Sequence, residues 1–159
     1  MINRFTMSLV LAFASAPLFA QHDASQEIDI QVWQVISQSV IDRDIVAMGS
    51  TYHPDAVVVN AKETAPISST LIRWGKGMEK ELQEGSSARV SFRFSQRMIN
   101  ASSAFEEGIF KYVSINSEGI ESAAYMEFEV LLVKKDGRWL TLMEHQLAET
   151  DQAAWDALK

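Results

Sequence analysis

Three side chains in the C-terminal half have the chemistry that proton transfer needs: Glu106, Tyr112 and His145. A carboxyl moved into an apolar pocket keeps its proton to higher pH, which suits it to exchange a proton near neutrality. An imidazole beside it can share that proton or orient a carbonyl. A tyrosyl O–H can donate to a developing oxyanion. These three form the candidate catalytic set, with Glu106 or His145 as the base. Each has a plainer alternative. Glu106 can sit at a strand end in water, and a one-residue change of register would turn Glu107 inward in its place. His145 can cap a strand or donate to a backbone carbonyl.

Other chemistries find no support. The chain has no Cys, which excludes disulfides, thiolate metal sites and a thiol nucleophile. His22, His53 and His145 are its histidines, and no two have a ligand spacing such as i, i+4, so no metal site is expected. No phosphate loop, dinucleotide fingerprint or nucleophile elbow occurs, so no cofactor is expected either. The formal net charge of −7 opposes nucleic acid and anionic lipid as partners.

The elements that must position these residues follow from hydrophobic period. From Gln26 to Asp42, Ile28, Val32, Trp33, Ile36 and Val40 fall on one helical stripe, with Ser25 as N-cap. A short second helix is expected after Asp42 or Asp44, carrying Ile45, Met48 and Tyr52 inward and stopped by His53-Pro54-Asp55. Ala56 to Asn60 reads as a short strand and Ala61 to Ser68 as a loop. A third helix runs from a Ser68 or Ser69 cap to about Glu84, with Leu71, Trp74, Met78 and Leu82 inward. After Gly85 the period changes to two. Val90, Phe92 and Phe94 alternate with Arg89, Ser91 and Arg93, and strands follow at Ser103–Asn116, Ile120–Lys134 and Arg138–Ala148. Asp136-Gly137 marks a tight hairpin, because both central positions need positive φ. Thr150 or Asp151 can cap a short terminal helix with Trp155 and Leu158. Helices first and strands afterwards, without repeat or linker, make one α+β domain in this chain of 159 residues.

Strand parity sorts the candidates. Ala124, Met126, Phe128, Val130 and Leu132 share a core face, while Tyr125, Glu127 and Glu129 form the opposite row, which Arg93 and Arg97 can pair across strands. Ala104, Glu106, Gly108, Phe110 and Tyr112 share a face. Trp139, Thr141, Met143 and His145 share another. The expected pocket lining is Trp33, Tyr52, Trp74, Phe110 and Phe128, as contacts for a small apolar organic molecule. As aromatics on element faces these residues suit a plain core equally well.

Three stretches resemble one known superfamily. RDIVAMGSTYHPDAVVV is similar to its helix, Tyr, Pro-Asp-Ala and valine strand. SAFEEGIFKYVSI is similar to its middle strand, with Gly108 before an aromatic. VLLVKKDGRWLTLMEH is similar to its closing hairpin. Together they cover Gln26 to Ala148 and resemble the nuclear transport factor 2-like superfamily, in its polyketide-cyclase-like and ketosteroid-isomerase-like branch. The resemblance implies a cone-shaped, barrel-like α+β fold with a curved antiparallel sheet around N-terminal helices. It also implies a pocket at the wide end and homodimers through the outer sheet face. It does not imply one activity, since the fold hosts isomerases, cyclases and non-catalytic binders. The isomerase branch's full acid set has no match here, which leaves steroid-type isomerisation without its residues.

The first twenty residues have the layout of a secretory signal peptide: Arg4, an apolar run from Met7 to Phe13, then small residues up to Ala20. The alternative is an N-terminal helix retained in the fold. Cleavage after Ala20 would remove Arg4 and take the net charge from −7 to −8. The domain is expected over 24–149 with a short helix or tail over 150–159, periplasmic or secreted, and not bound to membrane after cleavage. The leading functional expectation is a small-ligand-binding domain that works as a cofactor-free isomerase or cyclase by proton transfer. The alternative is a non-catalytic binding or dimerisation module.

Overall fold

The computed structural model describes residues 24–158; the expected leader with its cleavage site, and His22, lie outside the described residues. The first helix, α1 (24–42), contains a π-helical turn at Asp29–Trp33 before continuing as regular helix over Gln34–Asp42. Its expected stripe is the buried one: Ile28, Val32, Trp33, Ile36 and Val40 all belong to the core. Arg43 ends it in the left-handed region (φ 57°), with its N–H bonded to the carbonyls of Ser39 and Val40. Asp44 caps α2 (Ile45–Gly49) by accepting from the backbone N–H of Val46 and Ala47.

Tyr52 departs from the expected helix. The Thr51 hydroxyl donates to the Met48 carbonyl, and the Thr51 carbonyl accepts from the Thr141 N–H at 2.8 Å. That bond commits the chain to sheet pairing, so Tyr52 opens β1 (Tyr52–Val59), which runs on through Pro54. The expected loop contains a short strand, β2 (Thr64–Pro66), folded back on β1 by a turn in which the Asn60 side chain accepts from the N–H groups of Lys62 and Glu63. Helix α3 (Ile67–Gln83) starts directly after Pro66 without a side-chain cap. Leu82 is exposed rather than inward. Strands β3 (Ser87–Ile99), β4 (Ser103–Ile115), β5 (Glu121–Lys135) and β6 (Arg138–Thr150) follow, then α4 (Gln152–Ala157), capped by Asp151. At the β5–β6 turn Asp136 and Gly137 both take positive φ, 52° and 80°.

The six strands form one sheet in the order β2-β1-β6-β5-β4-β3. Among the described residues the pairings are antiparallel except β1 with β6, which run parallel, so the sheet is mixed rather than wholly antiparallel. The helical aromatic Trp33 packs against Phe92, Phe94 and Phe128 of the sheet, at ring-centre distances of 4.7, 5.3 and 5.8 Å. Tilted and edge-on contacts of this kind each add about 0.5–1.5 kcal/mol beyond area burial.

Of the register shifts that break the alternation of side chains, two bear on function. In β3, Phe94 faces Gly108 and Gln96 faces Glu107, so Ser95 is the extra residue and Arg97 turns to the inner face opposite Glu106. A Cβ on Gly108 would lie 2.1 Å from the Arg93 carbonyl oxygen, so this close approach admits only glycine. In β6, Met143 faces Leu131 but Thr141 faces Leu132, so Leu142 is the extra residue. Beyond it Glu144 pairs with Val130 and Gln146 with Phe128, both core-facing, while His145 pairs with Glu129 on the outer face.

Candidate functional site

A cavity of about 350 Å³ opens between α1, α3 and the concave side of the sheet. Trp33, Tyr52, Trp74, Phe110 and Phe128, the five residues expected as lining, all border it, joined by Phe92 and Tyr112. The volume falls in the range of small-ligand clefts. Helix α3 contributes Trp74, Gly77, Met78 and Glu81, spaced three and four apart along one face. Nothing lies within 4 Å of where a Gly77 Cβ would be, so the missing side chain leaves that part of the lining open.

Five polar groups of the cavity form two hydrogen-bonded sets, one of three residues and one of two. On the sheet, the Tyr52 hydroxyl donates to Glu144 Oε2 at 2.7 Å, and Gln146 Nε2 donates to Glu144 Oε1 at 2.8 Å. Burial raises the Glu144 carboxyl above its ordinary value, against the lowering effect of these two hydrogen bonds. Burial, and then the neighbouring Glu144 charge, push the Tyr52 phenol well up. Across the cavity, the Tyr112 hydroxyl donates to Glu81 Oε1 at 2.8 Å. Burial again raises Tyr112, helped by the bond to Glu81. The one basic side chain in the lining is Arg73, which is half-exposed and bonded to Glu63 at 2.6 Å.

The expected pair of Glu106 and His145 is not formed. Glu106 does face inward, but it is fully buried and lies outside the cavity lining. Arg97 Nε donates to its Oε1 at 2.7 Å and Trp33 Nε1 to its Oε2 at 2.8 Å. Arg97 also holds Asp29 at 2.7 Å and lies 4.5 Å above the Phe94 ring centre. Burial raises the Glu106 carboxyl, and Arg97 opposes the rise. His145 stands on the other side of the sheet, with Nδ1 3.3 Å from Glu129 Oε2. The β6 bulge is the physical reason: it reverses parity between Thr141 and Glu144. Tyr112 is in the cavity, with its proton directed at Glu81 rather than at open space. The cross-strand pairing expected for the outer arginines also differs. Arg97 is turned inward by its bulge, and Arg93 donates to the carbonyls of Trp155 and Leu158.

Sequence reasoning missed Glu81, Glu144, Gln146 and Arg73. Glu81 was within reach, since it lies three residues beyond Met78 and seven beyond Trp74 on the same helical face. Glu144 and Gln146 were not, because period-two counting across β6 assigns them outward.

No family model matches the chain, and no curated protein does. Solved structures do. An NTF-2 like protein of unknown function from Shewanella oneidensis MR-1 superposes with a TM-score of 0.64 at 16% identity, over 79% of this chain and 99% of that one. The chain has the NTF2-like fold. A ketosteroid isomerase-like protein from Erwinia carotovora atroseptica superposes with a TM-score of 0.53 at 16% identity, over 77% and 97% of the two chains. An NTF2-like superfamily protein from Salmonella enterica serovar Typhimurium LT2 gives 0.62 at 10% identity, over 84% and 94%. The concave side of this sheet holds the Tyr52–Glu144–Gln146 group.

Proposed function

We propose that this chain is an exported domain that binds a small, largely apolar organic molecule in its cavity, and that proton exchange with that molecule runs through Glu144. The observation that carries this reading is a carboxyl set among aromatic walls and held by two neutral donors, Tyr52 and Gln146, at 2.7 and 2.8 Å. Desolvation raises such a carboxyl, which matches it to proton transfer near neutral pH. Tyr52 orients it, and the aromatic rings supply apolar contact and exclude water. The assignment of the base moves from Glu106 and His145 to Glu144. The leader-like layout of the first twenty residues supports a periplasmic or secreted domain.

The test is a binding screen of apolar carbonyl compounds read by quenching of Trp33 and Trp74 fluorescence, on wild type, Gly77→Trp and Glu144→Gln. Gly77→Trp is expected to block the cavity and abolish binding, while Glu144→Gln weakens it or stops turnover. Ligands that still bind with Gly77 replaced by Trp would sink the cavity reading.

A second proposal concerns assembly: two copies pair through the outer face of the sheet. Phe105, Leu131, Met143 and Val57 stand in register across β4, β5, β6 and β1, all on that face and all partly exposed. Helix α4 covers a different part of the face, with Trp155 4.5 Å from the Arg93 guanidinium and 6.3 Å from Tyr125. Sedimentation equilibrium should give a dimer for wild type and a monomer for Met143→Glu; a monomeric wild type overturns the proposal.

A further inference from the structure

The charge balance of the cavity is unusual for a site meant for a neutral molecule. Two carboxylates line it, Glu81 and Glu144, and neither forms a salt bridge among the described residues. Their donors there are the neutral Tyr112, Tyr52 and Gln146. Among the described residues the fully buried carboxylate, Glu106, does have a cation, Arg97. No Lys or His among the described residues borders the cavity, and Arg73 is half-exposed and engaged by Glu63. Around the two carboxylates stand Trp33, Trp74, Tyr52, Phe92, Phe110 and Tyr112. Ring faces attract cations through their quadrupole, most strongly when water is excluded. A wall of rings with two carboxylates and no free internal cation is complementary to positive charge carried on an apolar body.

We infer that the cavity selects organic cations, meaning protonated or quaternary amines with a hydrophobic substituent, over neutral or anionic molecules of the same shape. The ammonium group would be drawn to the cavity's carboxylates, and the apolar body would lie against the aromatic rings. This inference rests on the ligand-binding reading above and adds the class of ligand.

Three probes of one shape separate the two: 1-naphthylmethylammonium, 1-naphthalenemethanol and 1-naphthoate, titrated by calorimetry into the full chain. The cation is expected to bind at least about tenfold more tightly than the alcohol, as a charge-assisted hydrogen bond with ring contacts would give, and the naphthoate more weakly still. Glu144→Gln and Glu81→Gln each should reduce the preference for the cation, lowering its affinity by a larger factor than the alcohol's. Unligated thermal midpoints of both variants serve as the control for folding. Gly77→Trp should remove binding of the cation. Equal or tighter binding of the alcohol, with both Gln variants silent, overturns the cation assignment and leaves the cavity as an apolar binding site. Cation binding that survives Gly77→Trp overturns the inference by placing the cation elsewhere. Failure of all three probes to bind also overturns it, and the cavity reading falls with it only if the carbonyl panel fails as well.

Discussion

Glu106 and Glu144 are both inner-face carboxylates, both raised by burial, and both reached through a bulge in a neighbouring or local strand. They lie in different surroundings, although both pair with Val130 in the sheet and the indole of Trp33, which bonds Glu106, also borders the cavity. At Glu106 the β3 bulge delivers a guanidinium, the indole N–H takes the second oxygen, and no space is left. At Glu144 the β6 bulge delivers a carboxyl and an amide to the wall of an open cavity, where only neutral groups meet them. The difference teaches that an inward acid is not yet a functional acid. What separates a strut from a site is whether the protein itself supplies the countercharge. Buried charge without a partner is costly, so an uncompensated one persists only where something else, a proton or a ligand, completes it.

The largest test of this contrast removes the strut's partner. Arg97→Ala leaves Glu106 buried without a cation and also releases Asp29, and should cost about 3–5 kcal/mol, the range for breaking a buried ion pair. Denaturant unfolding measures it. A loss under about 1 kcal/mol, the scale of a surface pair, would show that Glu106 is solvated and the contrast false.

Glu144→Gln should behave in the opposite way. Because burial raises the folded carboxyl above 4.5, its ordinary value, the folded protein prefers the protonated form. Below that value both folded and unfolded chains are protonated there, and the group has no effect on stability. As pH rises through it the unfolded chain ionises first, and stability is lost until the folded carboxyl also ionises. The Gln variant lacks this loss. Its thermal midpoint should match wild type near pH 4 and exceed it near pH 7, and a gap of opposite sign would mean that Glu144 is held as a stabilised anion.

Much of this molecule was legible in its sequence. The helical stripe of α1, the Asp136-Gly137 turn, the four long strands and the five aromatics of the cavity follow from period, turn chemistry and residue type. Gly108 too carried its message, since a glycine within a strand signals a close backbone approach, here to Arg93. Tyr52 was misplaced because its backbone is captured by a strand almost ninety residues later, through Thr141, which no local window contains. Glu144 was hidden for a different reason. A bulge is one residue of excess in pairing between two strands, and nothing in either strand alone marks Leu142 as that residue. Parity counted through it turns Glu144, His145 and Gln146 to the wrong face, until a second shift between Gln146 and Glu149 restores it.

Gly77→Ala gives a smaller effect that separates stability from function. Removing a helix-interior glycine should stabilise by about 0.5–1 kcal/mol, since the added methyl meets nothing within 4 Å. Ligand affinity should fall only slightly, whereas Gly77→Trp should remove it. If Ala and Trp act alike, that part of the lining is not a boundary for the ligand.

The smallest expected effect is the sharpest check on the bulge. His145 and Glu129 form an outer-face pair at 3.3 Å, each about a third exposed (35% and 31%). Pairs of this kind contribute little, so His145→Ala should change stability by no more than about 0.5 kcal/mol. Its ring lies across the sheet from the cavity, so ligand affinity and any turnover should be those of wild type. Glu144, one residue earlier in the chain, should affect both. Two neighbours on one strand thus give opposite outcomes in the same titration. If His145→Ala instead abolishes binding while Glu144→Gln leaves it intact, the extra residue in β6 does not lie between Thr141 and Glu144, and the carboxyl assigned here as the site's centre is facing water.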